Sequence, residues 1–366
     1  MPKVLAAMSG GVDSSVAALL LRDQGFEVVG ATLKMFDNRD LGLENDGEGR
    51  RTCCALADID DAREVAGRLG LEHRVFNFRR LFHHEVIRRF AEGYLAGQTP
   101  NPCLDCNRYI KFHHLWERAE PLGCHYLATG HYARVDYDRE RGRYLLKKAE
   151  DQDKDQTYVL YCLTQAQLAR TLFPLGGLDK KRARQLAEGA GLVNARKPDS
   201  QDICFVQDGD YAGFLTKVLG LASPPGDFVD QSGRKLGRHR GLIHYTIGQR
   251  RGLRLCFGQP RYVVSKDAGT NTITLGLEED LSAGETLVDD VNLISVAALD
   301  RPLEVTVKIR CGRAEWPARV EPVDGRRLRV VFHRRPKAVA PGQAAVFYQG
   351  EVVLGGGTII QEERPI

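Results

Sequence analysis

A short glycine- and serine-rich string near the start of the chain constrains the fold more than any other feature. Residues 9–15, with the sequence SGGVDSS, follow an apolar run at residues 4–8 and open a run with helical periodicity at residues 12–21. Gly10 and Gly11 have no Cβ, so the turn can adopt positive φ and direct backbone N–H groups at a ligand. A helix that begins here points its own unsatisfied N–H groups to the same place. The string therefore predicts a strand–turn–helix unit that binds an anionic group.

Two common phosphate loops do not match this string, because no Gly-Lys-Ser/Thr follows it and it lacks the Gly-x-Gly-x-x-Gly pattern. The plain alternative is a tight strand-to-helix turn that serine caps. The string resembles the PP-loop of the ATP pyrophosphatases, which split ATP between its α- and β-phosphates and adenylate a substrate. Asp13 is then predicted to bind Mg²⁺ or to form part of the turn.

Strand and helix signals alternate over residues 1–206, which predicts a parallel sheet covered by helices on both faces. The pattern changes near Pro224, Pro225 and Gly226, and from residue 284 onward it consists of short strands. We predict an α/β protein of three domains. These are a PP-loop ATP-binding domain at 1–206, a small central linking domain at 207–283, and an antiparallel β-barrel at 284–366. The polar segment 38–52 is predicted to be a mobile loop.

The charge of the chain is small in total but unevenly distributed. Fifty-two Lys and Arg against 48 Asp and Glu give a net charge of +4. Residues 301–340 contain eleven basic and four acidic residues, a net charge of +7, which leaves −3 for the rest of the chain. This segment is either a solvated barrel surface or a face that binds a polyanion.

The chain contains nine cysteines, an odd number that argues against a fully paired secreted framework. It shows no signal peptide and no apolar run of the ~20 residues that a membrane helix needs. We therefore predict a cytoplasmic protein, without a membrane partner, whose thiols are reduced.

Three of the cysteines lie in distinctive settings. Cys103 and Cys106 form a Cys-x-x-Cys in a proline-rich loop, and Cys204 lies in the string SQDICF at 200–205. We predict that Asn107 caps the following helix and that its N-terminus lowers the pKa of Cys106. A redox pair, half of a zinc site and part of an iron–sulfur site are all compatible with the pattern, although no second metal-binding pair supports structural zinc. Cys53 and Cys54 are predicted to be structural. Small hydrophobic residues of the core are predicted at the other four positions: Cys124, Cys162, Cys256 and Cys311.

Two further positions fit a nucleotide site, because ligands of open α/β sheets bind at the carboxyl ends of the strands. Leu33 ends the second predicted strand beside the expected adenine, and Gly130 would let the backbone approach the nucleotide. Taken alone, each is equally compatible with packing. The residues predicted to bind ATP are Ala7, Met8, Ser9, Gly10, Gly11, Val12, Asp13, Ser14, Ser15, Leu33 and Gly130.

The chain as a whole resembles the bacterial tRNA-specific 2-thiouridylases of the MnmA/TrmU type. The matching motifs are collinear over almost the whole chain: MSGGVDSS at 8–15, TPNP at 99–102, CN at 106–107, IKF at 110–112, ATGHY at 128–132, KDQ at 154–156, FPLG at 173–176, SQDICF at 200–205, HYTIGQR at 244–250 and PGQ at 341–343. The HYTIGQR motif falls in the predicted central linking domain, where its pattern is compatible with a purely structural role.

The resemblance implies sulfur transfer to C2 of the wobble uridine of tRNA, with ATP and Mg²⁺. ATP would adenylate the C2 oxygen and release pyrophosphate, and sulfur would then displace AMP. Cys204 matches the cysteine that carries the sulfur as a persulfide, and Cys106 matches its partner. The two would form a disulfide as sulfur is delivered, so a reductant must restore them.

The resemblance also implies that the domain at 1–206 is catalytic, that the barrel at 284–366 binds tRNA, and that particular residues contact the RNA. The target base would lie among Asn101, Pro102 and Cys103, and Asp105 lies between the two motif cysteines. The other implied tRNA contacts are His131, Lys154, Asp155, Gln156, Arg310, Cys311 and Gln343. The family pair at 310–311 is Arg-Tyr, so this chain loses a phenolic ring at Cys311 and Arg310 is the better supported contact. Position 103 is Asp in some members and Cys in others.

Alternatives remain open at this point. Cys103, Cys106 and Cys204 would also supply three ligands to a [4Fe–4S] cluster that performs the same reaction. The chain would otherwise be another PP-loop adenylating enzyme, or a non-catalytic tRNA-binding or redox-sensing protein. The implied partners are the tRNA anticodon loop and a sulfur-donor protein or sulfide, and we predict a monomer.

Overall fold

The structure is a computed structural model of the 366-residue chain, and it describes residues 1–36, 56–199, 203–206 and 209–361. The predicted mobile loop at 38–52, with most of the segment around it, lies outside the described residues, as do Cys53 and Cys54. Within the described residues, no helix is long and apolar enough to cross a bilayer.

The first domain is built on a parallel sheet. Its seven strands are β1 (Lys3–Ala7), β2 (Glu27–Lys34), β3 (Glu72–Asn77), β4 (Tyr126–Ala128), β5 (Arg134–Asp138), β6 (Arg143–Lys147) and β7 (Thr171–Leu172). Five of them form the sheet in the spatial order β3-β2-β1-β4-β7, with all pairs parallel. The central strands β1 and β2 are almost entirely buried because helices cover both of their faces.

The helices of this domain include two long runs with mixed hydrogen bonding. The α-helical segments are α1 (Val12–Asp23), α2 (Leu56–Leu69), α3 (Arg79–Phe82), α4 (Arg88–Leu95), α5 (Pro102–Asp105), α6 (Trp116–Ala119), α7 (Thr157–Leu160), α8 (Gln165–Leu168) and α9 (Lys180–Gly189). A π-helical turn at His83–Ile87 joins α3 to α4. A second π-helical stretch at Cys106–His114 follows α5, and a 3₁₀ turn at Glu120–Leu122 follows α6. Wide turns of this kind often accompany functional sites.

Alternate residues of β1 enter two different cores. Val4 and Ala6 pack with α1 and α9 on one face, whereas Leu5 packs on the other face with the helical run over 102–122. The core that contains Leu5 continues without a break into the C-terminal domain, where it includes Val346 and Tyr348. The first and last domains therefore share a hydrophobic core.

The central domain is a small mixed sheet. After the short helix α10 (Tyr211–Gly213) and a π-helical turn at Phe214–Val218, it contains β8 (Gly226–Val229), β9 (Lys235–His239), β10 (Tyr262–Asp267) and β11 (Thr272–Gly276). Their order is β10-β11-β8-β9, with β8 and β11 parallel and the other pairs antiparallel. A 3₁₀ turn at Leu242–His244 lies between β9 and β10. Phe228, Tyr245 and Ile273 are buried in a separate small core.

The last domain is a closed antiparallel barrel. Its strands, which follow a 3₁₀ turn at Glu279–Leu281, are β12 (Glu285–Leu293), β13 (Leu303–Lys308), β14 (Trp316–Pro322), β15 (Leu328–Phe332), β16 (Ala344–Gln349) and β17 (Val352–Ile360). Pairing of β12 with β17 closes the six strands. The β5–β6 hairpin of the first domain joins the barrel through the pair Lys147 and Val352. The predicted fold class is confirmed, with a parallel α/β domain, a small central domain and an antiparallel barrel.

Candidate active site

The glycine- and serine-rich string forms the turn between β1 and α1. Gly10 has φ +76°, and a Cβ there would lie 2.3 Å from the Asp58 carbonyl oxygen, so only glycine fits. The Ser14 hydroxyl accepts a hydrogen bond from the Ser9 backbone N–H (3.1 Å) and donates to the Gly11 carbonyl (3.0 Å). Gly11 caps α1 without a side-chain hydrogen bond. The first N–H groups of the 12-residue helix α1 are therefore left for a ligand.

Two side chains from outside the string hold the turn in place. The Asn194 amide donates to the Gly10 carbonyl (3.0 Å) and to the Ser15 hydroxyl (2.8 Å), and it is 3% exposed. The Lys197 ammonium donates to the same Gly10 carbonyl (3.1 Å) and pairs with Asp58 and Asp61. Neither residue is predicted from the sequence, because the only signal of each is a position shortly before the Cys204 motif.

Asp13 lies in an ion-pair network. Both of its carboxylate oxygens accept hydrogen bonds from Lys180 at 2.7 Å, and one also accepts from the Tyr132 hydroxyl at 2.9 Å. Lys180 also pairs with Asp199 at 2.7 Å, and Lys154 pairs with Asp199 at 2.8 Å. Burial alone would raise the pKa of Asp199, but hydrogen bonds from Lys154 and Lys180 lower it to about 2. The network supports a role for Asp13 in shaping the loop.

Magnesium takes six oxygen ligands, usually one or two carboxylates together with phosphate oxygens and water. Near the loop, the carboxylates of Asp13, Asp58, Asp61 and Asp199 each pair with a lysine. Asp13 would therefore hold Mg²⁺ only in exchange for Lys180, with phosphate oxygens among the remaining ligands.

The other residues predicted to bind ATP lie around the loop, and most of their side chains are buried. A Cβ on Gly130 would lie 2.6 Å from the Ser14 backbone nitrogen, so the close approach of Gly130 is to the loop itself. Leu33 and Met8 are 7% and 1% exposed, with their side chains in the two cores. Ala7 ends β1 immediately before the turn. Gly130 therefore fixes the distance between the segment after β4 and the loop.

The helical run that carries the Cys-x-x-Cys begins earlier than predicted. Asn101 is its N-cap, with the side-chain oxygen accepting from the Cys103 N–H at 3.0 Å, and Pro102 occupies the first helical position. The prediction that Asn107 caps the helix is wrong, because Asn107 is 1% exposed and donates to the Val159 carbonyl (2.8 Å). Cys103 therefore occupies the first helical turn, whereas Cys106 lies beyond it, where the helix dipole acts less.

Cys106 and Cys204 border the same hydrophobic core. Cys106 is 8% exposed, Cys204 is half-buried, and both pack in the core that contains Leu33 and Phe36. Cys103 is exposed at the start of the same helical run. Three thiols with a fourth position left open are the donor chemistry of a [4Fe–4S] cluster with one accessible iron, so the residues fit that group as well as a persulfide relay.

The residues implied as tRNA contacts in the first domain have different exposures. Asp155 is 1% exposed in its side chain and pairs with Lys308 of the barrel, so it is shielded from an RNA in this structure. The Gln156 side chain accepts from the Tyr132 N–H at 2.9 Å. Lys154 is the most accessible of these, with 38% of its side chain exposed.

His131 is also enclosed. Its Nδ1 lies 2.7 Å from the Thr129 hydroxyl, and Phe112 and Phe173 are its ring neighbours. Burial, with a smaller contribution from Lys111, holds the pKa of His131 well below its usual value. The imidazole is therefore neutral at physiological pH.

In the barrel, Arg310 and Cys311 are exposed in the segment after β13. The prediction that Cys256 and Cys311 are core residues is therefore wrong, whereas Cys124 and Cys162 are buried as predicted. Gln343 instead joins two domains: its amide donates to the Thr99 carbonyl at 2.6 Å and accepts from the Tyr158 hydroxyl at 3.3 Å. Arg310 and Cys311 are available to an RNA, and Gln343 supports the loop that leads to Asn101.

All three domains meet at this loop, which we call the junction loop (residues 97–101). The Lys266 ammonium of the central domain donates to the Gln98 carbonyl (3.3 Å) and to the Tyr245 carbonyl (3.0 Å). From the barrel, the Pro341 carbonyl accepts from the Thr99 N–H at 2.8 Å. Tyr245 belongs to the HYTIGQR motif, which thereby contributes to the support of the loop.

Family models match the chain in three consecutive parts. They are described as the tRNA methyl transferase HUP domain (residues 2–208), the tRNA methyl transferase PRC-barrel domain (residues 212–277) and the aminomethyltransferase beta-barrel domain (residues 284–359). Fold and site together define a three-domain enzyme whose first domain is a HUP domain with an anion-binding loop.

Relatives that match over their full length show which family within this class of enzymes the chain belongs to. The chain is 49% identical over 358 residues to the tRNA-specific 2-thiouridylase MnmA of Pelotomaculum thermopropionicum, covering 98% of this chain and 97% of the relative. It is 47% identical to MnmA 1 of Thermoanaerobacter pseudethanolicus (99% of each) and 46% identical to MnmA of Clostridioides difficile (98% of each). The chain belongs to the tRNA-specific 2-thiouridylase family.

Proposed function

We propose that this chain is an ATP-dependent sulfurtransferase that converts the wobble uridine of tRNA to 2-thiouridine. The observation that carries the proposal is the combination of an open anion loop at the end of β1 with two cysteines, Cys106 and Cys204, that pack against the core on the other face of the same sheet. That core includes Leu33 and Phe36 at the carboxyl end of β2, the strand beside β1. Nucleotide and thiol chemistry would thus meet at one edge of the sheet.

The first step would activate a poor leaving group. The O2 atom of uridine attacks the α-phosphorus of ATP, pyrophosphate leaves, and the uridine loses its N3 proton. The N–H groups at residues 10–13 would hold the phosphates, since the turn and α1 direct them to one point. Lys180 and Lys197 lie close enough to balance the charge that develops there.

The second step would transfer sulfur. The terminal sulfur of a Cys204 persulfide bonds to C2 and AMP leaves. The Cys106 thiolate then attacks the Cys204 sulfur and breaks the S–S bond to the base, which leaves 2-thiouridine and a Cys106–Cys204 disulfide. An external dithiol donates two electrons and restores both thiols.

A cluster route would use the same residues. Cys103, Cys106 and Cys204 would hold a [4Fe–4S] cluster, which would supply an iron site for sulfide. The exposed position of Cys103, one helical turn before Cys106, supports its inclusion among the ligands.

The remaining parts of the proposal concern partners. The wobble base lies in a single-stranded loop, so moving it into a pocket costs little, and Asn101, Pro102 and Cys103 would surround it. The exposed Arg310 and half-exposed Lys154 would bind the RNA backbone. A donor protein that carries a persulfide would load Cys204 by passing its outer sulfur to the Cys204 thiolate, whereas sulfide would supply sulfur only in the cluster route. We propose that the enzyme acts as a cytoplasmic monomer.

The direct test is an assay for 2-thiouridine. The full chain is incubated anaerobically with ATP, Mg²⁺, a dithiol, sulfide or a persulfide donor, and unmodified tRNA with a wobble uridine. Product that depends on ATP and on tRNA is the expected result. AMP release without modification of any tRNA, or no product with either sulfur source, would contradict the proposal.

A further inference from the structure

The central domain carries a long segment without acidic residues. Residues 231–266 contain nine Lys and Arg and no Asp or Glu. Three of these cations, on β9 and in the turn before it, pair with Asp227 or Asp230. The remaining ones lie mainly in the irregular segment between the 3₁₀ turn and β10. A concentration of cations without local anions is a feature of surfaces that bind polyanions.

Three of the remaining arginines line one cleft. This cleft, which we call the arginine cleft, has a volume of about 380 Å³, and Arg250, Arg254 and Arg261 lie along it with Phe257. Glycine, leucine, proline and glutamine residues complete its lining, and none is acidic. Arg250 and Arg254 are exposed, and Arg261 is half-buried. Within the part of the chain that the structure describes, no carboxylate forms an ion pair with any of the three.

Arg261 gives a second indication that the cleft binds an anion, because it has an unsatisfied hydrogen-bond donor. Its Nε–H is buried and donates to no described residue. Its guanidinium lies 5.9 Å from the centre of the Phe257 ring, which limits where the planar group can point. A buried donor without an acceptor costs free energy, and an anion in the cleft would remove that cost.

The segment that leads into the arginine cleft touches the basic segment of the barrel. A Cβ on Gly248 would lie 2.9 Å from the Cβ of Ala338, so the segment before Arg250 touches the barrel there. Lys337, next to Ala338, pairs with Glu278 at 2.6 Å. The pKa of Glu278 is lowered mainly by Lys337 and to a smaller extent by Arg250, which places both cations near one carboxylate. The two basic surfaces are therefore neighbours.

We propose that the arginine cleft binds phosphodiester groups of the RNA substrate and extends the tRNA-binding surface from the barrel across the central domain. Guanidinium groups bind phosphate oxygens through two parallel hydrogen bonds, and Phe257 offers an aromatic face beside them. The inference rests on the proposed function, because it takes tRNA as the substrate. It adds a binding site in the domain that otherwise only connects the other two.

A free polyphosphate, such as the tail of a nucleotide, has the same chemistry as a nucleic-acid backbone. Two observations favour the backbone. The anion loop at the end of β1 already provides a separate place for nucleotide phosphates. The arginine cleft adjoins a second basic surface, as a site for a long polyanion would and a site for a small anion need not.

The test compares the double variant Arg250→Gln/Arg254→Gln with a charge-matched control, Arg22→Gln/Arg234→Gln. The control arginines are exposed and pair locally with Asp23 and Asp230. Binding of fluorescent unmodified tRNA is measured from about 50 to 200 mM salt, and binding of tripolyphosphate is measured by calorimetry. The cleft variant should bind tRNA about tenfold more weakly at ~100 mM salt, and its slope of log K against log salt should be shallower by about 2. The control should match the wild type.

Three results would overturn the inference: an unchanged slope and affinity in the cleft variant, an equal loss in the control, or a loss of tripolyphosphate binding with normal tRNA binding. Thermal unfolding of both variants verifies that they are folded. The measurement needs no sulfur transfer, so it can be separated from the proposed function. A wild-type protein that binds tRNA through the cleft but forms no 2-thiouridine would contradict the activity alone.

Discussion

Asp155 of the first domain and Lys308 of the barrel form an ion pair of 3.0 Å, and their side chains are only 1% and 6% exposed. The Asp155 carboxylate also accepts from the Thr157 hydroxyl, and that hydroxyl lies 3.1 Å from the Tyr348 hydroxyl. Lys308 lies over the Tyr348 ring at 5.2 Å. The KDQ motif therefore contributes a buried connection between domains at its middle residue.

Removal of one partner should destabilise the whole chain. We expect Lys308→Met to lower the free energy of unfolding by about 3–5 kcal/mol, because it leaves the Asp155 carboxylate buried without its cation. Asp155→Asn/Lys308→Met should recover part of this loss. Urea unfolding followed by fluorescence measures both. The control is Glu351→Gln, which breaks the exposed pair with Arg134 and should cost about 1 kcal/mol or less. Equal losses for Lys308→Met and Glu351→Gln would contradict the argument.

Lys266 should make the free energy of unfolding depend on pH in the alkaline range. Burial lowers its pKa from 10.5 to about 8. The unfolded chain thus binds more protons than the folded chain between these values, and the free energy of unfolding should rise with pH across this window. Lys266→Met should lack this contribution, so the wild type should gain roughly 3 kcal/mol relative to the variant between pH 8 and 10.5.

Lys235→Met is the control for this titration, because Lys235 is 57% exposed in the same domain. Denaturant unfolding at four pH values gives the comparison. A difference between wild type and Lys266→Met that is independent of pH would show that the folded protein keeps the proton.

Gly130→Ala should damage the anion loop. The new methyl group would lie 2.6 Å from the Ser14 nitrogen and 2.7 Å from the Asp13 carbonyl carbon, both of them backbone atoms that cannot rotate away. We expect ATP affinity to fall at least about tenfold, since misplaced N–H groups no longer converge on the phosphates. Gly177→Ala, which has open space around its Cβ, should stay within about twofold of the wild type in equilibrium binding of a fluorescent ATP analogue. Normal ATP binding by Gly130→Ala would refute the assigned geometry.

Cys106→Ser and Cys204→Ser should each abolish 2-thiouridine formation and leave the tRNA dissociation constant within about twofold. A serine hydroxyl neither carries the sulfur nor resolves a persulfide, although it fills nearly the same volume. Mass spectrometry of digested tRNA measures the product. Cys256→Ser, at an exposed thiol outside the core, is the matched control and should retain activity. A serine variant that still forms product would remove that cysteine from the mechanism.

Cys103→Ser separates the two sulfur routes. The persulfide relay predicts near-normal product from protein preloaded with sulfur on Cys204, whereas the cluster route predicts loss of product and of iron binding. Iron content and product are measured on the same anaerobic preparation. Activity that requires both Cys103 and bound iron would favour the cluster over the relay.

The strands of the first domain are predictable from the sequence, whereas some strands of the barrel are not. The alternation over residues 1–206 and the string at 9–15 predict the parallel sheet and its loop, because each local signal agrees with the global fold. Strand β14 has prolines at 317 and 322, which normally argue against a strand, so its sequence does not predict it. A run of glycines also argues against a strand, but β17 continues through three of them. A Cβ on Gly356 would lie 2.7 Å from Tyr161, so close packing against the first domain requires glycine there.

The site was predictable where its residues are contiguous and not where they come together by folding. The string at 9–15 and the cysteine motifs are local patterns. Lys180, Asn194 and Lys197 reach the loop from more than 160 residues away, as their separations from Asp13 and Gly10 show. Only tertiary packing brings them there, so no spacing rule identifies them. The cap of the cysteine helix was misplaced for a different reason, since Asn101 and Asn107 both fit the local preference and Pro102 decided between them.

The junction loop makes the three domains a single functional unit rather than exchangeable modules. Its conformation depends on Lys266 from one neighbour and on Pro341 and Gln343 from the other. An isolated first domain would keep the nucleotide loop but lose the supports of the segment that leads to Asn101. A barrel transplanted onto a related catalytic domain would bring its own PGQ turn. The junction loop of the recipient domain would therefore have to be replaced by the loop that matches this turn.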